Sequence, residues 1–591
     1  MAIEASGRIV VHVYTDPAHR AGIAVAARAM STPRVLRSSL VAGDGFLVVE
    51  TTPAGARRIA ALPGVIWVEQ APEPTVRNDT LRLIVQTGTL LAGAPFDAAG
   101  LTGIGQIVGV IDEPMDWDHC AFDDTNPIGP THRKIEAYNA PFAGVSTHGT
   151  HVCGILLGDS LANNNLRGVA TGARLVFDTI PAFDETTFYE QLMLHASQGA
   201  TIHSNSWGDE QSVAYGGLAR AIDAFCWEND EHLVVVAVSN QAVLKTPENA
   251  KNALAVAATL DTPFQDRVCV GAVGPTPDGR RKPDLVAPGC SIFSAYPFGG
   301  GCPTAFASGT SMATPAIAGA GAIVRQYFTQ GWYPTGEPSA QDAFTPSGAL
   351  LKSVLIAGSA DVTDEPGWPS SREGWGRVDL SGSLPIGSGS SSRLIVEQRW
   401  NNDAGPKPAL ATGGEHRISF TVEDASIPVR IVLAWHDAPG DFGSSDPVVN
   451  DLDLEVIGPG GLVYLGNDID ESTGASIPGS SGAPDMRNTV EVVSLPSPLP
   501  GAYNVRIIGA AVQVGGQGYG ISITGGVAEV VLAECSPADL AEPLGVLDLS
   551  DIDVFLMGFV SQSPISDLNS DGLFDLSDIG TFVSGFVAGC G

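Results

Sequence analysis

The chain is poor in positive charge. Lys and Arg number 31 against 65 Asp and Glu over 591 residues, a formal net charge of −34 at pH 7. Nucleic-acid backbones are held by Lys and Arg, so a nucleic acid is excluded as the main partner. Long apolar runs are missing too. None approaches the roughly 20 residues of a membrane helix, so no transmembrane segment is expected. The opening MAIEASGRIVVHVY has no positive n-region followed by an apolar h-region; either an export signal precedes it or the protein stays inside. CxxC pairs are also absent. The eight cysteines, at 120, 153, 226, 269, 290, 302, 535 and 590, form no zinc pattern. Pairs 290–302 and 535–590 each bracket a compact segment and are the expected disulfides, with free buried thiols as the alternative. Disulfides imply an oxidising compartment.

Glycine (70) and proline (41) are abundant, which favours turns and β-structure over a helical bundle. A hydrophobic fraction of 44% argues against global disorder. At roughly 100–200 residues per domain, the length predicts three or four domains. Charge is uneven: residues 1–77 hold 8 Arg and 6 acids, a net of +2, while residues 535–591 hold 9 acids and no Lys or Arg. Such a split suggests parts with separate jobs.

Four segments follow. Residues 1–77 read as β-α-β-β-α-β, a small α+β domain. Residues 78–385 alternate apolar β-runs, among them QIVGVID (106–112), ARLVFDTI (173–180) and HLVVVAVS (232–239), with helical stretches such as GGLARAIDAFCWE (216–228). That rhythm predicts an α/β fold with a parallel sheet covered by helices on both faces, and a site at the carboxyl ends of its strands. After the linker SGSLPIGSGSSSR (381–393), residues 394–530 carry short alternating runs that predict an all-β sandwich or barrel. Residues 535–591 repeat internally: SDIDVFLMGF (550–559) recurs as SDIGTFVSGF (577–586), each placing two Phe four residues apart on one helix face.

Three motifs carry chemistry. GVID ends at Asp112, an acid closing a buried-strand run. STHGTHVCG (146–154) contains His148. ASGTSMATPAIAGA (307–320) sets Ser311 between small residues at a loop-to-helix junction. A nucleophilic serine needs a base for its proton, and the base needs an acid to fix its tautomer. The chain supplies one candidate for each role in the order Asp, His, Ser, which is the order found in subtilisin.

With these residues, segment 78–385 resembles the catalytic domain of the subtilisin-like serine proteases. KPDLVAPG (282–289) and RGVATGARL (167–175) strengthen the likeness. The resemblance implies that Ser311 is the nucleophile, His148 the general base and acid, and Asp112 the group that orients it. VVVAVSN (234–240) resembles the strand that ends in the family's oxyanion asparagine, here Asn240. NSWG (205–208) resembles its substrate-binding strand, so Ser206, Trp207 and Gly208 are expected to bind an extended peptide. Asp209 and Glu210 follow directly and either favour basic substrate side chains or are solvated loop acids. His119 matches a loop position of the family and is read as structural, and His151 is read as a helix-packing residue and not a second base. Cys153 stands where the family often has Ala; it either stays a free thiol or pairs with Cys120.

Segment 1–77 resembles the family's inhibitory propeptide, with processing expected near Arg77–Asn78. Residues 394–530 resemble the β-barrel of one group of alkaline bacterial subtilases, carried by LAWHDAPG (433–440), VNDLDLEV (449–456) and GNDID (466–470). There Asn450, Asp451 and Asp453 either hold a structural calcium or are turn-forming acids. In the tail, DLNSDGLFDLSD (567–578) places Asp567, Asn569, Asp571, Asp575 and Asp578 at calcium-loop positions 1, 3, 5, 9 and 12. Leu573 offers its carbonyl and Gly572 takes the turn. Together with the Phe repeat, this resembles dockerin modules and implies a cohesin-like docking partner. The expectation is a secreted or cell-surface, calcium-stabilised serine endopeptidase made as a zymogen, with protein and peptide substrates and its own propeptide as partners. Its export signal would precede the residues given. The alternative is a surface-docked assembly component in which the tail and β-module dominate.

Overall fold

The computed structural model describes residues 9–29, 34–41, 44–70, 78–140, 144–160, 166–180, 184–299, 302–387, 390–405, 407–479, 482–529, 536–541, 547, 549–569 and 572–588. The chain forms two compact units, Met1–Val76 and Arg77–Gly591.

In the first unit, four antiparallel strands run in the order Arg34–Val41, Asp44–Thr51, Ile9–Thr15, Val65–Gln70. Alternate residues Val11, Val13, Leu47 and Val49 point to one face. They bury against Ile23, Ala24 and Ala27 of helix Arg20–Ala29 and Ile59 of helix Pro53–Ala60. The second helix starts where it does because the Thr52 hydroxyl accepts the Gly55 N–H at 3.1 Å and Pro53 needs no N–H partner in the first turn.

The second unit is built on an eight-stranded sheet. Its order is Val268–Val270, Leu254–Leu260, Leu233–Ala237, Ile202–Asn205, Ile107–Asp112, Arg174–Thr179, Ile135–Tyr138, with Leu285–Cys290 also pairing Leu254–Leu260. All pairings are parallel except that of edge strand Val268–Val270. Side chains alternate across a strand, and here both faces are buried. Leu233 and Val235 join the core under helices Thr147–Leu157 and Thr310–Thr329, while Val234 and Val236 pack under Glu185–Ser197 and Gly217–Glu228. A near-continuous apolar strand is what covering on both faces demands.

Two antiparallel sheets follow. One has the order Arg393–Arg399, Tyr519–Gly525, Val429–Ala434, Val490–Leu495. The other has Leu462–Leu465, Asn450–Gly458, Gly501–Val512, Glu415–Val422, Val527–Glu529. They face each other as a sandwich, with Ile431, Leu433, Ile521 and Ile523 against Phe420, Leu454, Tyr503 and Val505. The four-stranded sheet is buried on its outer face as well: Leu394, Val432, Ala434 and Val492 share one core with Leu350, Val354 and Leu355 of helix Gly348–Ala357. The sandwich is therefore fused to the α/β part through a continuous apolar core. A buried ion pair adds to the joint: Lys251 Nζ lies 2.5 Å from Asp437 Oδ2, both side chains fully buried.

In the tail, helices Leu549–Ser561 and Leu576–Ala588 hold the two copies of the repeat. Phe555 stacks on Phe582 with centroids 4.2 Å apart. The buried carboxylate Asp551 accepts the N–H groups of Leu540 and Ala541, and Asp578 accepts that of Leu568 at 2.9 Å. Each copy thus ties its helix back to the loop before it.

The disulfides differ from expectation. Cys120 pairs with Cys302 and Cys269 with Cys290, with Cα separations of 5.5 and 6.6 Å. A 290–302 bridge is impossible because hairpin register pairs Ile292 with Ala307 and Ala295 with Thr304, which puts Cys290 at the open end and Cys302 at the turn. Nor does Cys153 meet Cys120: it is a free, buried thiol on the inner face of helix Thr147–Leu157. The expected pair 535–590 lies outside the described residues.

Candidate active site

Asp112 is the last residue of a central strand and is fully buried. Its Oδ1 accepts Nδ1–H of His148 at 2.7 Å and the Glu113 N–H at 2.7 Å. Its Oδ2 takes no hydrogen bond from any described residue. Burial pushes the Asp112 carboxyl up, and the bonds and charge of His148 only partly oppose this.

His148 is the second residue of helix Thr147–Leu157, where the Ser146 hydroxyl accepts its N–H at 3.1 Å. Such N-caps are worth about 1 kcal/mol. Burial pulls the imidazole down, but the hydrogen bond and charge of Asp112 outweigh it and leave its pKa above the ordinary value. The next residue must be glycine for space: a Cβ at Gly149 would lie 1.8 Å from the Glu113 carbonyl oxygen. That closeness lets the helix start against the strand end and brings imidazole and carboxylate together.

Ser311 is the second residue of helix Thr310–Thr329, which packs on strands Ile202–Asn205 and Leu233–Ala237 and on the His148 helix. Its Oγ donates to the Ser206 carbonyl at 3.2 Å, while Ser206 Oγ donates to the Ser311 carbonyl at 3.0 Å. Among the described residues, then, the resting Ser311 proton is held by Ser206 and not by His148. Nucleophile–base contacts in unliganded sites are often loose and tighten with substrate.

Asn240 follows strand Leu233–Ala237. Its Oδ1 accepts the Thr310 N–H at 3.0 Å and hydroxyl at 3.2 Å, which fixes the amide and leaves Nδ2 as the exposed donor. Asn240, Ser311, Ser206, Trp207 and Gly208 line one cleft pocket of about 70 Å³. The Trp207 ring is buried edge-on against Phe188, with centroids 5.0 Å apart. Two carboxylates of this pocket, Glu210 and Glu248, stand beside them. Sequence reading missed Glu248, which belongs to no motif and lies well along the chain from Glu210; only the fold brings the two acids together. A larger cavity, about 560 Å³, lies between Trp368, Ser359 and Arg430 and contains none of these residues.

His151 is structural: Nε2 faces the carbonyls of Ile292 and Ala305, each at 3.2 Å, and burial pushes its pKa down to about 4. His119 accepts the Ala121 N–H at Nδ1 and donates Nε2–H to the Pro303 carbonyl at 2.8 Å.

Of the tail loop, Asp571 lies outside the described residues. Gly572 has φ +79°, the left-handed turn that glycine tolerates, and its N–H donates to Asp567 Oδ2 at 2.9 Å. Asp575 accepts the Ser577 N–H at 2.8 Å, and Asp578 Oδ2 the Asp575 N–H at 3.0 Å. The Asn569 amide donates to Ser577 at 2.7 Å. Among the described residues no three His, Cys, Asp or Glu side chains are gathered as a ready metal site. In the sandwich, Asn450 is fully engaged in the fold, accepting from Gln513 and Val514 and donating to Val514 and Gln517. By contrast Asp451 Oδ1, Asp453 Oδ1, Asp468 Oδ2 and Glu491 Oε1 are buried without a hydrogen bond from any described residue.

The subtilase family model, peptidase S8, matches residues 103–376. The chain is similar to the serine protease/ABC transporter B family protein tagA of Dictyostelium discoideum, 25% identical over 599 residues, with 80% of this chain and 34% of that protein covered. It is also similar to the extracellular serine proteinase of Thermus sp. strain Rt41A, 31% identical over 256 residues, with 40% of this chain and 53% of that protein covered. The chain spans about a third of the length of the first curated relatives it matches. Among solved structures, prenylagaramide maturation protease PagA is 25% identical at a TM-score of 0.37, covering 48% of this chain and 93% of that one.

Proposed function

We propose that the subtilase-family domain at residues 103–376 is a serine endopeptidase acting through Asp112, His148 and Ser311. The observation that carries this reading is the 2.7 Å bond from His148 Nδ1 to a fully buried Asp112, both set at the strand-end and helix-start facing the Ser311 helix. His148 Nε2 takes the Ser311 proton as Oγ attacks the peptide carbonyl. The same nitrogen then gives that proton to the leaving amine, so the peptide C–N bond breaks as an acyl-enzyme ester forms. Water reverses the sequence and frees the acid. Asn240 Nδ2 and the Ser311 N–H donate to the oxyanion, which develops only in the transition state. Asn240→Ala is therefore expected to lower kcat on a peptide amide by on the order of 10²–10³, with KM little changed; the magnitude is subtilisin's own. No hydrolysis of any peptide by the wild-type chain, or an unchanged kcat in the variant, would count against this reading.

The net +2 of residues 1–77 fits an inhibitory propeptide whose charge complements an acidic body, cut near Arg77–Asn78. Two disulfides and a relative named as extracellular support secretion. Among the described residues no helix is long and apolar enough to cross a membrane.

Structural calcium completes the proposal. The tail loop offers oxygen donors only, Asp567, Asn569, Asp571, Leu573 carbonyl, Asp575 and Asp578, around a glycine turn; that donor set suits calcium. Chelation by EDTA is expected to lower Tm by several degrees, with calcium restoring it. An unmoved transition defeats the calcium assignment. Exposed Leu556, Met557, Val560, Val583 and Val587 on the two tail helices favour a docking role for the tail alongside hydrolysis.

A further inference from the structure

The pocket beside Ser311 holds two carboxylates and, among the described residues, no Lys or Arg side chain. Glu248 is 1% exposed. Its Oε1 accepts the N–H groups of Ser239 at 2.9 Å and Lys245 at 2.7 Å, which locks the side chain. Its Oε2, with both of those donors going to Oε1, accepts no hydrogen bond from another described residue. A Cβ on Gly208 would stand 3.4 Å from that oxygen, so the bare backbone at 208 leaves it open to the cleft. Glu210 Oε2 accepts the Ser239 hydroxyl at 2.6 Å. Ser239 thus orients both acids, one through its N–H and one through its O–H.

Burial, with the Glu210 charge adding to it, pushes the Glu248 carboxyl up to about 7 against the pull of the Ser239, Lys245 and its own backbone N–H groups. Neither acid forms an ion pair with a described residue. An apolar side chain in this pocket would leave the free oxygen dehydrated and unpaired, whereas a guanidinium or ammonium would supply the missing donor and charge. Asp209, grouped with Glu210 in the sequence, is not part of this wall: its carboxylate accepts the Gln211 N–H at 2.9 Å within a turn.

We infer that this pocket selects Lys or Arg immediately before the scissile bond, with Glu248 and Glu210 contacting the cation. The inference rests on the hydrolase reading above.

The test uses the full chain and one peptide series that differs only in Arg, Lys, Leu or Phe before the cleaved bond. The wild type is expected to favour Arg over Leu at least ten-fold in kcat/KM. Glu248→Gln, which keeps the Oε1 acceptor, should cut the Arg:Leu ratio by about ten- to hundred-fold. Glu210→Gln, at an exposed position, should cut it by about three-fold, and it decides the matter if the buried variant does not fold. Cleavage with an Arg:Leu ratio at or below one, or a ratio unmoved in both variants, overturns the inference alone. No cleavage of any peptide overturns the hydrolase reading and this inference with it.

Discussion

Replacing Ser311 with alanine is expected to lower kcat for peptide hydrolysis by about 10⁶, and His148→Ala by about as much; the magnitude is that of subtilisin, carried over to this chain. The two losses should not add. Once the nucleophile is gone, the base has no proton to take, so the double variant should be no slower than either single one. What remains, about 10³–10⁴ over water, comes from oxyanion donors and substrate binding. The same variant should stay uncut at Arg77–Asn78 if that bond is processed by the chain's own active site. Hydrolysis persisting at the wild-type rate in Ser311→Ala would remove the assignment. The arrangement makes this prediction sharp, because Ser311 Oγ rests on the Ser206 carbonyl within the strand expected to pair with substrate.

The second large effect belongs to Asp112→Asn, for which a fall in kcat of about 10⁴ is expected. The carboxylate is fully buried and accepts Nδ1–H of His148, which holds the tautomer with a free Nε2. An amide can offer its own N–H instead and favour the wrong tautomer. The pH profile supplies an independent readout. His148 titrates above its ordinary value because of Asp112, and only the neutral ring is a base. The acid limb of kcat/KM should therefore lie above about 6.5 and move down in Asp112→Asn. The stability linked to His148 runs the other way. A raised folded-state value means a contribution that is full below the unfolded value and fades as pH rises through the folded one. On the proposed reading, hydrolysis thus runs in the range where this contribution has gone. An acid limb at or below the ordinary histidine value in the wild type would contradict the coupling.

Asp112, His148 and Ser311 were legible because each sits in a short local pattern: an acid closing an apolar run, and a His and a Ser at helix starts rich in small residues. The parallel strands Ile107–Asp112, Arg174–Thr179 and Leu233–Ala237 were legible for a related reason, since burial on both faces writes itself as unbroken apolar sequence. Strand Ile202–Asn205 was not, because IHSN is polar; only in the interior does its His203 find a partner, where Nε2 meets His232 Nδ1 at 3.0 Å. Glu248 was hidden because a buried acid looks like any loop acid until the fold shows what surrounds it. The disulfides failed for a similar reason: proximity along the chain ranked 290 with 302, whereas hairpin register keeps them apart. The sandwich pattern left open whether its outer face met water, and Leu394, Val432 and Val492 show that it meets helix Gly348–Ala357 instead.

That fusion sets a clock. Strand Tyr519–Gly525 lies between Arg393–Arg399 and Val429–Ala434, so the sheet that seals helix Gly348–Ala357 closes only after the chain is made through residue 525. Ser311 emerges far earlier in synthesis, yet its supporting layer stays unfinished until then. A nascent chain therefore carries Asp112, His148 and Ser311 well before it has the finished core that holds them in place.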